Sequence, residues 1–314
     1  MNKHSSLRTR GSLLERAAEI YDFGSALRAA PVATPVPEPE VKQAAQPQPE
    51  PEPPVVPVAK APARPQPAGP RPVGKAKVDR EALAEAGYIL PDAAVSGLAE
   101  EFRIVKRQLL LATGGKSGIA EDKRRTVLVC SARPDEGKTF CAVNLALSLA
   151  SERDVEVLLV DGDFAKPEIL SLLGLEGGPG LIDAIADPHA DPESFVIRTD
   201  IPGLSVLPSG RHANNVTELL ASERTRDVLA ALTGGNPRRI VIFDSPPALV
   251  ASPASVLAAN VGQVLMVVRA DQTTDADLRE ALGLLSGCES VSLMLNGAGF
   301  AARRRFGSYY GYGQ

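Results

Sequence analysis

VLVCSARPDEGKTFCAVNLALSLA, residues 127–150, is the stretch that decides the fold. An apolar run enters a short polar loop, the loop ends in Gly-Lys-Thr, and apolar residues then recur at helical spacing. This order predicts a strand, a phosphate-binding loop and a helix. Backbone N–H groups of such a loop converge on an anion, and the N-terminus of the helix adds its dipole.

Three residues at the end of the loop suit a bound nucleoside triphosphate. Lys138 supplies a positive charge for the β- and γ-phosphate oxygens, Thr139 a hydroxyl for Mg²⁺, and Gly137 a close approach of the backbone. The full GxxxxGK[ST] pattern requires glycine at position 132, where the chain has Ala132. On this stretch alone, a chance junction between a loop and a helix therefore stays open.

The composition excludes several classes of protein. The chain has 314 residues, 44% of them apolar, and a net charge of −4, so nothing global indicates nucleic-acid binding. Its three cysteines are widely spaced, which fits neither a disulfide framework nor a zinc site and suits a reducing compartment. No apolar run approaches ~18 residues and no apolar signal region opens the chain, so we expect neither a membrane span nor secretion.

Composition also divides the chain into four parts. Residues 1–30 hold an amphipathic helical pattern, and residues 31–77 are rich in Pro, Ala, Glu and Gln, which predicts an extended linker. Residues 78–300 carry the patterns of a folded domain, and residues 301–314 form a tail rich in Arg, Tyr and Gly. The first helix is too short to be stable alone. Docking on a protein, binding to a membrane surface and absence of stable structure all stay open for it.

The folded part alternates strands and helices. Several strands are near-continuous apolar runs, as expected when helices cover both faces of a sheet. This alternation predicts an α/β fold with a doubly wound, mostly parallel sheet, whose ligands bind at the carboxyl ends of the strands. A short helix is predicted just after Val78. The other predictions are strands Thr126–Ser131, Glu156–Asp161, Leu204–Leu207, Ile240–Asp244, Gln263–Val268 and Val291–Leu295, and helices over 95–112, 138–151, 215–233 and 273–286.

Two of the predicted strands end in carboxylates. Asp161 and Asp163 are two residues apart after the run EVLLV, so both side chains can point to one side. Asp244 ends the run RIVIF, and two prolines then turn the chain away from the sheet. Carboxylates beside a phosphate loop suit Mg²⁺, and one of them could instead accept a proton from an attacking hydroxyl.

Three motifs in this order resemble those of the bacterial tyrosine kinase (BY-kinase) family. They are SARPDEGKT as Walker A, VLLVDGDFAKP as Walker A′ and IVIFDSPP as Walker B. The resemblance covers roughly residues 95–314 and is strongest to the exosortase-associated tyrosine autokinases of exopolysaccharide gene clusters. It implies a P-loop fold related to the MinD/ParA group and ATP-dependent autophosphorylation of a C-terminal tyrosine cluster.

The tyrosine cluster is visible in the sequence itself. Three of the five tyrosines of the chain, Tyr309, Tyr310 and Tyr312, lie in the last six residues, with glycines between them. Such a tail could reach the active site of a neighbouring subunit, or it could have no role. The run Arg303–Arg305 precedes it and is either merely solvated or draws the tail towards an acidic, phosphate-bearing site.

The resemblance also implies roles for individual residues. Lys138, Asp161 and Asp163 are expected to be catalytic, with Asp161 orienting or deprotonating the tyrosine. Thr139, Asp163 and Asp244 are expected to hold Mg²⁺, directly or through water. The residues expected at the ATP are Arg133, Pro134, Asp135, Glu136, Gly137, Lys138, Thr139, Phe140 and Asn296.

Members of the family form rings through an E-x-x-R-x-x-R motif, which Glu100, Arg103 and Lys106 match except for the final lysine. Lysine cannot form the bidentate fork of arginine, and simple pairing within the helix is the alternative. Two further departures are Asp135, where the family often has glycine, and Ala165, where it often has arginine. Lys166 follows and could substitute for that arginine.

The resemblance implies an autokinase that acts in trans, with ATP and Mg²⁺, and regulates exopolysaccharide chain length or export. Its expected partners are a separate membrane protein, a Wzz-like polysaccharide co-polymerase, further copies of the chain, and a tyrosine phosphatase. The expected location is cytoplasmic and peripheral to the inner membrane. The alternatives are a MinD/ParA-like ATPase that makes no use of the tyrosines and a nucleotide-binding scaffold without transfer activity.

Overall fold

The computed structural model describes residues 74–93, 96–114, 118–211 and 213–298. The predicted N-terminal helix, most of the Pro-rich linker and the tyrosine tail lie outside these described residues. No helix within the described ranges is long and apolar enough to cross a membrane.

Seven strands form one sheet, and helices connect most of them. The helices are α1 Arg80–Glu85, α2 Gly97–Thr113, α3 Lys138–Ala150, α4 Ile169–Leu172, α5 Leu181–Ala186, α6 Val216–Leu220, α7 Glu223–Gly234, α8 Pro253–Ala258 and α9 Asp275–Leu284, with a 3₁₀ turn at Pro192–Phe195. The strands are β1 Thr126–Ser131, β2 Glu156–Asp161, β3 Ile197–Arg198, β4 Leu204–Leu207, β5 Arg239–Asp244, β6 Gln263–Arg269 and β7 Val291–Asn296.

The order of the strands across the sheet is β3-β4-β2-β5-β1-β6-β7. Every pair is parallel except β3 with β4. This confirms the predicted α/β fold with a doubly wound, mostly parallel sheet. Strands β1 and β5 are neighbours, as are β5 and β2, so their carboxyl ends meet at one edge of the sheet.

The central strands are buried on both faces, which explains their near-continuous apolar sequences. All six residues of β1 are buried. Leu128 and Cys130 face one hydrophobic core, whereas Val127 and Val129 face the other. Alternate residues of a strand point to opposite faces, so one short apolar run serves two layers of helices.

The single helix predicted over 215–233 is wrong, because the structure has two helices there. Ser222 separates α6 from α7 with an extended backbone, φ −72° and ψ 158°. The Ser222 hydroxyl donates to the Leu219 carbonyl at 2.6 Å, and the Thr225 hydroxyl donates to the same carbonyl at 2.9 Å. Side-chain hydroxyls of this kind compete with the backbone hydrogen bonds that would continue a helix.

Residues 74–93, here called the N-terminal arm, pack on the sheet before β1 begins. Ala76 pairs with the strand end at Thr199, and its N–H donates to the Arg198 carbonyl at 2.8 Å. The Val78 N–H donates to the Asp200 carboxylate at 2.8 Å, and the Val78 side chain is buried. The folded domain therefore includes Ala76, two residues before the predicted boundary.

Helix α2 packs against α3 through a buried lysine. The Lys106 ammonium donates to the Ser148 carbonyl at 2.9 Å and pairs with Glu152 at 2.9 Å. The charge of Lys106 is thus paired within its own subunit, and the assembly role predicted for Lys106 stays a prediction. Glu100 and Arg103 pair with each other on the exposed side of α2, which is the alternative that the sequence left open.

Candidate active site

The loop between β1 and α3 has the backbone that phosphate binding requires. Gly137 precedes α3 with φ +90°, in the left-handed region that favours glycine. A Cβ at this position would lie 2.1 Å from the Asn296 side-chain nitrogen. Asp135 also has a positive φ, of 62°, which explains why glycine is common at this position in the family that the sequence resembles.

Two of the residues predicted at the nucleotide place their side chains behind this loop. The Glu136 carboxylate accepts hydrogen bonds from the Arg133 N–H at 2.9 Å and from the Thr273 hydroxyl. The Asn296 amide donates to the Glu136 carbonyl at 2.9 Å. Both side chains therefore shape the loop from within the protein, and neither lines the cavity in front of it.

Arg133 points towards α9. Its guanidinium donates to the Asp277 carboxylate at 2.8 Å and is largely exposed. This hydrogen bond is the main reason why the pKa of Asp277 is lowered to about 2. Arg133 does not line the cavity in front of the loop, so the structure places it at one side of the loop.

Lys138 forms the central ion pair of the site. Its ammonium donates to the Asp163 carboxylate at 2.7 Å, and the two side chains are only 12% and 7% exposed. Burial lowers the pKa of Lys138, but the neighbouring Asp244 and Asp163 more than offset it and leave that pKa raised. Lys138 is therefore charged and held by carboxylates at the position where a phosphate chain would pass.

Asp161 and Asp244 lie side by side behind this pair, at register partners of β2 and β5. Burial raises the pKa of Asp161 to about 7, with a further contribution from Asp244. Burial also raises the pKa of Asp244 to about 6, although Lys138 and a hydrogen bond from Thr139 oppose it. The Oδ2 atom of Asp161 accepts from the Ile169 N–H at 3.1 Å. The strand-end carboxylates thus gather around Lys138 as the sequence predicts.

The donor set fits a magnesium ion. One oxygen of Asp161 and one of Asp244 are buried without a hydrogen-bond partner, and Thr139 and Asp163 lie on the cavity side of them. In the part of the chain that the structure describes, no group of three or more His, Cys, Asp or Glu residues forms a ready-made metal cage. Mg²⁺ does not need one, because it binds through one or two carboxylates together with waters and substrate phosphates.

A cavity of about 570 Å³ opens in front of these groups. Its walls come from the phosphate loop and the start of α3, from the segment after β2, and from the segment after β5. Tyr88 of the N-terminal arm completes the wall, and sequence reasoning missed it. The only signal for Tyr88 was its aromatic character in a short apolar stretch, which does not say where it packs.

The structure brings together most of the predicted site residues. The phosphate-loop residues from Pro134 to Phe140 border the cavity, apart from the buried Glu136, as does Asp163. Asp161 and Asp244 are buried at its base. Tyr309, Tyr310 and Tyr312 lie outside the described residues. Glu100, Arg103 and Lys106 lie on α2 and do not line this cavity.

Comparison with known proteins gives consistent relatives, although no protein-family model matches the chain. The chain is 28% identical over 215 residues to the tyrosine-protein kinase YwqD of Bacillus subtilis, covering 68% of this chain and 86% of YwqD. It is 28% identical over 205 residues to the tyrosine-protein kinase wzc of Salmonella typhimurium, and 30% identical over 203 residues to EpsB of Ralstonia nicotianae. Each of these two matches covers 65% of this chain.

The chain spans only about a quarter of the length of EpsB and wzc, 26% and 27%. Among solved structures, the kinase domain of the Escherichia coli tyrosine kinase ETK matches with a TM-score of 0.56 and 23% identity. That match covers 72% of this chain and 92% of the ETK domain and supports the fold. With its phosphate loop and strand-end carboxylates in one site, the chain is similar to bacterial tyrosine-protein kinases in both sequence and fold.

Proposed function

We propose that this chain is an ATP-dependent protein-tyrosine autokinase that phosphorylates Tyr309, Tyr310 and Tyr312 of a second copy of itself. The observation that carries the proposal is the buried Lys138–Asp163 pair, 2.7 Å apart, with Asp161 and Asp244 beside it at the phosphate loop. One cation and three carboxylates at a phosphate loop suit the transfer of a phosphoryl group between two oxygens.

The reaction forms a bond between the tyrosine oxygen and the γ-phosphorus and breaks the bond from that phosphorus to the β–γ bridging oxygen, which leaves with ADP. The phenolic proton passes to a carboxylate. Asp161 suits this task because its pKa of about 7 lies near the working pH of a general base. However, Asp163 lines the cavity, which favours the alternative assignment, in which Asp163 takes the proton.

The remaining residues of the site would bind the nucleotide and neutralise its negative charge. The loop N–H groups and Lys138 hold the phosphates, and Thr139, Asp163 and Asp244 would hold Mg²⁺ directly or through water. When bound, Mg²⁺ supplies positive charge for the phosphate oxygens. Asp135 and Phe140 line the cavity in which the nucleotide would lie.

The wider role follows from the relatives and is part of the proposal. Phosphorylation of the tail would regulate exopolysaccharide chain length or export, and a tyrosine phosphatase would reverse it. A separate membrane protein of the Wzz-like type would activate the kinase and hold it at the inner membrane. Glu100 and Arg103 remain candidates for contacts between subunits.

The decisive experiment incubates the purified chain with MgATP and measures phosphotyrosine and released phosphate. We expect phosphotyrosine in the parent chain and none in Lys138→Ala or in a chain with all three tail tyrosines changed to Phe. ATP hydrolysis without phosphotyrosine would support the MinD/ParA-like alternative. ATP binding with neither product would support the scaffold.

Two further variants separate the roles of the carboxylates. If Asp161 takes the proton, Asp161→Asn should lower kcat by a factor of 10² or more and leave MgATP binding nearly unchanged. Asp163→Asn should then weaken MgATP binding as well, because it removes both a metal ligand and the partner of Lys138. The reverse pattern would assign the proton to Asp163.

A further inference from the structure

The cavity in front of the phosphate loop has an aromatic wall that does not belong to the P-loop core. The rings of Tyr88 and Phe140 are in contact, with their centroids 5.0 Å apart and their planes inclined by 43°. Phe140 lies in the first turn of α3, whereas Tyr88 comes from the N-terminal arm, 52 residues earlier in the sequence. Both rings are half-buried and both line the cavity.

Buried contacts fix the position of Tyr88. The Tyr88 N–H donates to the Leu83 carbonyl at 2.9 Å, and the Leu83 side chain is buried. The next N–H, of Ile89, donates to the Asn144 side chain at 2.7 Å, and the same side chain donates to the Phe140 carbonyl at 3.0 Å. Asn144 is completely buried. One polar side chain therefore ties the arm to the very turn of α3 that carries Phe140.

The wall adjoins the residues proposed to bind the phosphates, because Phe140 directly follows Lys138 and Thr139 and all three line the cavity. Burial raises the pKa of Tyr88, and the negative charges of Asp244 and Glu168 add to the shift. Pro246, Pro247 and Val250 line the same cavity. A flat ring that enters the cavity would have these apolar residues and the aromatic pair for contacts, with Lys138 and Asp163 in the same lining.

From this arrangement we infer that Tyr88 and Phe140 form the aromatic wall that receives the acceptor tyrosine, donated by residues 309–312 of a second copy of this chain. The inference rests on the proposed kinase function. Aromatic pairs gain energy beyond their buried area, so such a wall favours a phenol over a serine or threonine hydroxyl. Tyr88 acts as a positioning residue, because its ring orients the acceptor and takes no part in the transfer.

The charges around the cavity fit this occupant. Asp135 is exposed and lines the cavity, and Glu168 lines it as the partner of Lys166 in an ion pair of 2.7 Å. In the acceptor segment, Arg303–Arg305 precede the tyrosines by a few residues. Tyr309 lies 11 residues beyond Ala298, a reach of up to about 35 to 40 Å in an extended chain.

The test separates the enzyme from the acceptor. The enzyme is the full chain with Tyr309, Tyr310 and Tyr312 changed to Phe, and the acceptor is the full chain with Lys138→Ala. Phosphotyrosine formation is measured against acceptor concentration at saturating MgATP. Adding Tyr88→Ala to the enzyme should raise the KM for the acceptor roughly tenfold, with the Kd for MgATP unchanged within about twofold. Tyr88→Phe should behave like the parent enzyme, because it keeps the ring.

Two more variants guard against a folding artefact. Val250 lines the cavity and is 65% exposed, so Val250→Ser should fold normally and still raise the acceptor KM by about threefold. Leu111 is 77% exposed on α2, outside the cavity, and Leu111→Ala should leave the acceptor KM unchanged. Thermal unfolding of every variant checks that the fold is intact.

The outcomes distinguish the inference from the function on which it rests. An unchanged acceptor KM in both Tyr88→Ala and Val250→Ser would overturn the inference while leaving the kinase function intact. An equal loss of MgATP affinity would assign the wall to the adenine base and overturn it as well. A defect in Tyr88→Phe as large as that in Tyr88→Ala would show that the hydroxyl acts, against a positioning ring. Absence of phosphotyrosine with the parent enzyme would overturn the proposed function, and with it this inference.

Discussion

Asp135 combines an unfavourable backbone with an unfavourable charge. Its φ of 62° lies in the left-handed region, where Asp is tolerated but glycine has no steric cost. Its carboxylate is exposed beside the residues that would hold the phosphates. A substitution at position 135 should therefore increase the affinity for MgATP.

We predict that Asp135→Gly binds MgATP several-fold more tightly than the parent chain, because it removes a repulsive charge worth about 1 kcal/mol and relaxes the loop. Calorimetric titration with MgATP measures the change. Asp135→Asn is the matched control, because it removes the charge and keeps a residue that tolerates the left-handed region. Equal gains in both variants would assign the effect to charge, and weaker binding in both would contradict the prediction.

The buried charge of Asp161 should lower the free energy of unfolding of the nucleotide-free protein. Its pKa of about 7 in the folded protein lies above its ordinary value of 3.8. Between these values the folded chain binds a proton that the unfolded chain has lost, so Asp161 makes the protein less stable as pH rises through this range. Above pH 7 the cost is complete, with an upper bound of roughly 4 kcal/mol.

We predict that Asp161→Asn raises the Tm of the nucleotide-free protein at pH 8 by several degrees, and by much less at pH 5. Asp163→Asn is the control, since it leaves Lys138 without its partner and should not stabilise the protein. Thermal unfolding at five or six pH values tests the trend. A difference between Asp161→Asn and the parent that does not depend on pH would contradict the assignment.

At the scale of elements, the motif Glu100, Arg103 and Lys106 on α2 contributes both to the packing of α2 against α3 and to the exposed surface of α2. Lys106 is buried and lowers the pKa of Glu152 through their hydrogen bond, whereas Arg103 is exposed and pairs with Glu100 within α2. Removing a buried, hydrogen-bonded group leaves its partners unsatisfied, but an exposed pair on a helix contributes little.

We therefore predict that Lys106→Ala lowers the free energy of unfolding by about 1 to 3 kcal/mol, whereas Arg103→Ala changes it by less than about 0.5 kcal/mol. Urea unfolding of both variants makes the comparison. Sedimentation of the same samples reports whether Arg103 acts between subunits. A loss of stability in Arg103→Ala as large as that in Lys106→Ala would contradict the structural role assigned to Lys106.

The elements that could be predicted from the sequence are those with long, uninterrupted patterns. Strands β1 and β2 have the predicted ends, because an apolar run between turns leaves little choice of register. The short elements α4, α5, α8 and β3 have too few residues for a period to emerge. The break at Ser222 was missed because apolar spacing continues across it, and only the local hydroxyl bonds reveal it.

The candidate site also contains residues that could be predicted from the sequence and residues that could not. Lys138 and the strand-end carboxylates could be predicted, because parallel strands bring their carboxyl ends to one edge. The inward direction of the Glu136 side chain depends on Thr273, 137 residues away, and no local pattern contains it. Tyr88 reaches the site through the packing of the arm on α3, which is equally a tertiary property.

For the whole molecule, the arm decides where the folded domain begins. We predict that a chain starting at Asp79 is less stable than one starting at Gly74, by about 2 to 4 kcal/mol. The shorter chain lacks the buried Val78 side chain and the hydrogen bonds of Ala76 and Val78. The Tm should fall by on the order of 10 °C. Equal Tm values for the two chains would place the boundary after Val78.

The strand order has a practical consequence for measuring this protein. The arm joins the sheet beside β3, and the segment after β7 leaves it at the other edge, seven strand spacings or about 34 Å away. Fluorophores attached at Gly74 and Ala298 would sit within the working range of energy transfer. The efficiency of energy transfer between them would provide a reference distance within one chain. The approach of a labelled second copy of the chain could be calibrated against that distance.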